Sequence, residues 1–375
     1  MSDQVVKTET TGYFERLRNS IMGIFLGLLL FLASFGVLYW NEGRVDLSRV
    51  AKTSVEVAAT GVPSADSGEF VSVTGNLDSP DTLGDRPFLV EGEYVALRRI
   101  SEMYAWAERS STETQKNTGG SETKTTTYTY EKTWTERPDN SSSFQKPQGH
   151  TNPTKSIESD EFQVAKATVG DYQLDMPKIG LPGLDKLSLT PTNVLPEYKS
   201  QQMGEYIFIG KGSIATPEIG DLRISYRALG QGVEATAFGA LGAQQLSPYQ
   251  ARKKISFYRL FTGTREQAIA SLASEHKIMT WGLRAGGFVM MWIGLNLVIE
   301  PLGVLLDFFP FIGNLARTAS GFATFIIAAV LSSVTIVISI ILHNPIMLFL
   351  AAGLSGFIIY RLTKGKKSKP VEDAG

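Results

Sequence analysis

Four ionisable residues stand inside or beside the most apolar part of the chain: Arg284, Glu300, Asp307 and Arg317. Charges are costly in hydrocarbon, and those that persist pair with one another or face water. Their types and spacing allow an intramembrane or interfacial polar network, built either as ion-pair ties or as the lining of an aqueous path. The competing expectation puts all four at the lipid–water boundary. Glu300 and Pro301, then Phe309 and Pro310, are expected to break helices. That leaves 300–317 as a cytoplasmic interfacial segment with Leu305, Leu306, Phe308, Phe309, Phe311 and Ile312 dipped in lipid.

Other reactive types are sparse. With no cysteine, disulfides, thiol catalysis and cysteine-ligated zinc are excluded. The three histidines, His150, His276 and His343, lie far apart in sequence, so no metal is expected. His150 could act as a ligand or acid–base group, since an unperturbed imidazole titrates near pH ~6.5. A hydrogen-bonded loop anchor suits its turn-like neighbours Asn152 and Pro153 better. Glu42, Asp160 and Glu161 have no spacing that would set up paired carboxylates. A phosphate-binding glycine loop and a Gly-x-Ser-x-Gly elbow are both missing. The expectation is no enzyme and no cofactor. A net charge of -1 gives no footprint for nucleic acid.

The elements that hold these residues are apolar runs. Residues 19–41 carry no charge and end at Tyr39 and Trp40, an aromatic pair suited to the interface. The run is long enough to cross a ~30 Å hydrocarbon core, and too long for the ~7–15-residue core of a cleaved signal. Further spans are expected at 278–299, 318–342 and 344–361, the last two joined tightly at His343, Asn344 and Pro345. Gly23 and Gly27 in the first span, and Gly282, Gly286 and Gly287 in the second with Gly294 further on, are small residues that let helices approach closely. They serve either self-association or packing within one bundle. Lys7, Arg16 and Arg18 precede the first span, and Arg361, Lys364, Lys366, Lys367 and Lys369 follow the last. By the positive-inside rule 1–18 and 362–375 are cytoplasmic, and 42–277 is outside.

The segment 42–277 reads as a β-rich, α+β extracytoplasmic domain. Residues 70–77 are rich in β-branched types and stop at turn formers. Residues 88–107 contain a strand that includes Met103, Tyr104 and Trp106, read as β-core rather than as an exposed patch. In 124–137, Tyr128, Tyr130, Lys132 and Trp134 alternate with threonines, the pattern of a half-buried strand. Residues 110–121 then join a long hairpin. More strands are expected at 161–167, 205–209, 221–228, 234–239 and 254–261. Thr264 and Gln267 form a weak capping box before a helix at 265–277. The glycine-bounded patches 71–77 and 221–229 raise a duplicated, OB-like small barrel.

Several stretches resemble the LUMA family, also called transmembrane protein 43. They are Asn41-Glu42-Gly43-Arg44, Met103-Tyr104-Ala105-Trp106-Ala107-Glu108, Gly149-His150-Thr151-Asn152-Pro153, Gly220-Asp221-Leu222-Arg223-Ile224-Ser225-Tyr226 and Met279-Thr280-Trp281-Gly282-Leu283-Arg284-Ala285-Gly286-Gly287. They run in the family's order across about residues 12–361. The resemblance implies four spans with a large domain between the first two. For animal members it implies the endoplasmic reticulum and inner nuclear membrane, a scaffold role, and lamins and emerin as partners. A bacterial member, the reading preferred here, implies the inner membrane. The family brings no catalytic residue to carry over.

The function expected is therefore a multi-pass membrane scaffold. It would self-associate as a homo-oligomer and bind other membrane or envelope proteins through its domain. The alternatives are a channel or transporter element lined by Arg284, Glu300 and Asp307, and a lipid-binding or lipid-modifying protein.

Overall fold

The computed structural model describes residues 3–61, 64–251, 255–307 and 310–364. They form two compact units. One holds Met1–Thr8, Asp46–Glu113 and Thr125–Ser274; the other holds Glu9–Val45, Thr114–Lys124 and Glu275–Gly375.

The first unit is built on two large sheets, with two two-stranded ribbons beside them. In one, Phe70–Asp78 pairs with Ala167–Val169, which pairs in turn with Tyr172–Leu174. Tyr172–Leu174 runs parallel to Gln245–Ser247. Gln245–Ser247 lies antiparallel to Val233–Leu241, which returns to Phe70–Asp78. The ring is thereby closed, with Arg259–Thr262 and Val55–Val57 as flanking strands. Closure removes the free edges on which open sheets aggregate. Val71, Val73, Leu77, Val169, Leu174, Ala235, Ala237 and Leu246 fill its core.

The other sheet runs Gln4–Thr11, Glu122–Thr135, Tyr94–Lys116, Leu222–Gly230, Tyr206–Ile209 and Gln202–Met203, with Asp160–Gln163 and Asp185–Leu187 added at its sides. Leu222, Ile224, Tyr226 and Ala228 are buried, while Arg223, Ser225 and Arg227 face outward. Period two sorts the strand into a core face and a wet face. This places 222–230 in a different sheet from 70–78, so the two patches are not halves of a duplicated barrel. One ring closes among the described residues.

The hairpin is longer than expected. Its strands reach Lys116 and restart at Glu122. The turn is tied by Asn117 N–H to the Ser121 carbonyl at 2.9 Å. Residues 110–116 lack apolar side chains, but Ser and Thr alternation with a β-branched Thr at 112 and 114 sustains pairing. Thr112 and Thr126 hydroxyls meet across the strands at 3.0 Å.

Thr264 and Gln267 form the expected box. Thr264 N–H donates to Gln267 Oε1 at 3.0 Å, and Gln267 N–H to Thr264 Oγ1 at 3.4 Å. The helix they open does not stop at 277. With α1 at Tyr13–Glu42 and α2 at Leu47–Lys52, it becomes α3, Arg265–Leu306. Pro301 lies inside α3 and does not break it. Proline removes one amide donor, a loss that neighbouring groups absorb in apolar helices. Pro310 does what its ring favours and opens α4, Pro310–His343. Most of the segment expected to be interfacial is thus helix end.

The second unit holds α1, α4, most of α3, and α5, Pro345–Lys364. Asn344 Oδ1 accepts from Ile346 N–H at 3.1 Å and Met347 N–H at 3.3 Å, capping α5 with Pro345 at its first position. Leu38, Met291 and Ala328 are sealed in the middle, ringed by Phe31, Phe35, Phe288, Trp292 and Leu331. Where α1 crosses α3, a Cβ on Gly27 would lie 2.8 Å from the Gly294 carbonyl oxygen, and one on Gly294 would lie 2.8 Å from that of Gly27. Only glycine permits that approach.

Hydroxyls along the helices turn back on their own backbone. Ser34 donates to the Phe31 carbonyl, Thr335 to Leu331 and Ser339 to Thr335, at 2.6 to 2.7 Å. Phe25, Leu29, Leu32, Phe322, Val330 and Val337 point outward and exposed. Among the described residues, α1, α3 and α4 contain stretches long and apolar enough to cross a membrane, and α5 offers a shorter apolar stretch, Pro345–Ile358.

Candidate functional site: charges at the helix ends

Arg284 projects from α3 onto the last turn of α1. Its Nε and Nη2 each donate at 2.8 Å to the two oxygens of Glu42, a fork-on-carboxylate pair. The Trp281 ring lies 5.0 Å from the guanidinium carbon. Asn41 Nδ2 donates to the Thr280 carbonyl at 3.1 Å and locks the same corner.

At the other end of α1 and just past the last residue of α3, Asp307 is 1% exposed at its side chain and takes Arg16 Nη2 at 2.8 Å. Lys116 Nζ reaches its other oxygen at 3.3 Å. Arg16 also meets Glu122 at 3.2 Å and donates to the Gly120 carbonyl. Lys124 closes on Glu122 at 3.6 Å. The hairpin tip is therefore tied to the ends of two helices by alternating charges. Gly120 adopts φ +81°, and a side chain there would run into the Tyr13 ring.

The expected network is divided. Arg284 and Asp307 sit in two separate clusters, each with partners that the sequence did not nominate: Glu42 for one, and Arg16, Lys116 and Glu122 for the other. Glu300 lines a third place, a cavity of about 420 Å³ with Trp292, Asn296, Leu297 and Ser320. The side chain of Arg317 lies outside the described residues. Of the expected packing glycines, Gly27 makes the close crossing and a Cβ on Gly23 would lie 4.0 Å from Leu297, but Gly282 and Gly286 face open space. Gly287 and Gly294 take their place, against Leu38 and Gly27.

In the β-rich unit His150 is 1% exposed and acts as an anchor. Its Nδ1 meets the Lys146 carbonyl at 2.9 Å, its Nε2 the Asp3 carboxylate at 3.0 Å, and Tyr130 stacks on its ring. Lys146, hydrogen-bonded to Asp3, holds that carboxyl below the usual range. Burial, then the hydrogen bond to Glu108, push the Tyr130 phenol up to about 12. Met103 is sealed in the core, and Tyr104 packs on Trp134 at 5.2 Å. Asp85, missed in sequence, is gripped by Arg99 at 2.7 Å and by the Tyr226 hydroxyl at 2.6 Å. Burial and that carboxylate drive the Tyr226 phenol upward. The carboxylates weighed for hydrolysis each face an arginine: Glu42 faces Arg284, Asp160 faces Arg99 and Glu161 faces Arg98.

Residues 103–345 match the family described as Transmembrane protein 43. A human protein named Transmembrane protein 43 is 29% identical over 373 residues, covering 93% of this chain and 92% of its own length. The mouse protein of that name is 28% identical over 365 residues, covering 92% and 90%. A Transmembrane protein 43 homolog of Drosophila melanogaster is 26% identical over 363 residues, covering 92% and 95%. No solved structure matches the chain.

Proposed function

The chain belongs to the Transmembrane protein 43 family, and from that membership and the helix-end geometry we propose that it is a multi-pass membrane scaffold. In this reading the helices anchor it, copies associate through helix faces, and the β-rich unit holds other membrane or envelope proteins. The reading assigns it no turnover.

The observation that carries it is how the charges at the helix ends are paired. Arg284 is neutralised by Glu42, and Asp307 by Arg16 and Lys116. Such ties fix elements against one another and leave little charge to coordinate a moving ion. Four spans are part of the proposal: α5 has 20 residues, which at ~1.5 Å per residue reach about 30 Å. An OB-like barrel is another part. Its support is the ring order first, second, third, fifth, fourth, with the third and fifth strands parallel.

One observation favours an aqueous path instead, the cavity beside Glu300. The test uses the full chain, solubilised and also reconstituted in liposomes. The scaffold reading expects stable self-association or co-purifying membrane proteins after crosslinking, with ion flux at background. Flux that disappears in Glu300→Gln would overturn it in favour of a channel.

A further inference from the structure

A groove of about 870 Å³ opens on the β-rich unit, lined by none of the residues of the helix-end clusters. Across its floor the ladder sets Glu161, Arg98 and Arg227 side by side, and on a fourth strand it pairs Lys186 with Arg227. Adjacent strands are ~4.8 Å apart, and like charges placed directly opposite are destabilising. Three cations in one row therefore need anions.

The protein supplies them unevenly. Lys186 meets Glu205. Among the described residues Arg98 has only long charge contacts, 3.7 Å to Glu161 and 3.9 Å to Glu136. Arg227, at the centre, is given a carbonyl, that of Leu184 at 3.3 Å. Above the row stands an apolar wall from Ala96, Ile100, Leu181, Pro182 and Leu184.

We propose that this groove binds a phosphate group carried on an apolar body. Two guanidinium forks suit the several oxygens of a phosphate, and its charge of about -1.5 to -2 gives Arg227 the anion that its carbonyl partner does not supply. The wall takes the apolar part. The site is independent of the scaffold role: it can fail while that reading stands, and the reverse.

The test is thermal unfolding of the full chain in a neutral detergent and phosphate-free buffer. The probes are short-chain phosphatidic acid, phosphatidylcholine of the same chains, and inorganic phosphate, with chloride to match ionic strength. The expected result is a rise in Tm with phosphatidic acid at concentrations about tenfold below those of inorganic phosphate, and none with phosphatidylcholine. Arg227→Gln should unfold no earlier than the parent without ligand, because a repulsion is relieved. Its response should move about tenfold higher in concentration. Arg98→Gln should shift the response in the same direction. Equal potency of phosphate and phosphatidic acid would keep the anion site and overturn the apolar body. The proposal as a whole is overturned by a response to phosphatidylcholine equal to that of phosphatidic acid, by no anion response beyond chloride, or by an undiminished response in Arg227→Gln.

Discussion

Asp307 is the least exposed acid at the helix ends, at 1% against 6% for Glu42. Removing one partner of a buried pair costs about 3–5 kcal/mol, because the other charge stays desolvated. Asp307→Asn should therefore lower the detergent unfolding midpoint strongly. Glu42→Gln should cost less, since Arg284 is 20% exposed and can turn to water. Equal losses would refute the burial argument. Tyr130 gives a pH prediction. A phenol raised by the fold stabilises it below the unfolded value of about 10. That contribution fades as pH climbs through about 12. Tyr130→Phe should flatten alkaline destabilisation in that window, followed by tyrosinate absorbance and unfolding together. Arg284 and Asp307 stood out in the sequence as charges among apolar residues. Their partners did not, because Arg16 and Asp307 are 291 positions apart and no local spacing links them.

Helix ends were the most legible elements. Thr264 with Gln267, and Asn344 with Pro345, are short-range signals whose chemistry acts within one turn. β-Branched composition at 70–77 and alternation at 124–137 were equally plain. Three features escaped. Pro301 passes through α3, because apolar neighbours tolerate a lost amide that water would penalise. The hairpin's outer strands carry no apolar period to mark them. Ring closure depends on three-residue strands that have no pattern of their own. The glycine signal was half legible: Gly27 lies at the crossing, but its counterpart is Gly294, one of several glycines in α3 that look alike in sequence. Gly27→Leu should force α1 off α3 and cost about 1–3 kcal/mol or more. The measurement is thermal stability in detergent, with Gly36→Leu, where nothing lies within 4 Å, as the neutral comparison.

At the scale of the molecule, the charge rule and the Asp307 cluster pull apart. The rule sends 1–18 to one side and 42–277 to the other. The cluster joins Arg16 to Lys116 and Glu122 on the hairpin tip. Strands rich in Ser and Thr cannot lie bare in lipid. The cluster therefore predicts that Gly12 and Thr118 share a side. The chain has no cysteine, so Gly12→Cys and Thr118→Cys can each be labelled in sealed vesicles with an impermeant maleimide. The expected result is reaction from the same face; reaction from opposite faces would show the charge rule prevailing and the cluster unformed in the membrane. The inward-turned hydroxyls of α1 and α4 carry a last consequence. Once Ser34, Thr335 and Ser339 have bonded to their own helices, they have no proton left to share with a visitor. A helix that docks on those positions finds no donor there, so such a contact should loosen or tighten with acyl-chain length and resist changes in salt.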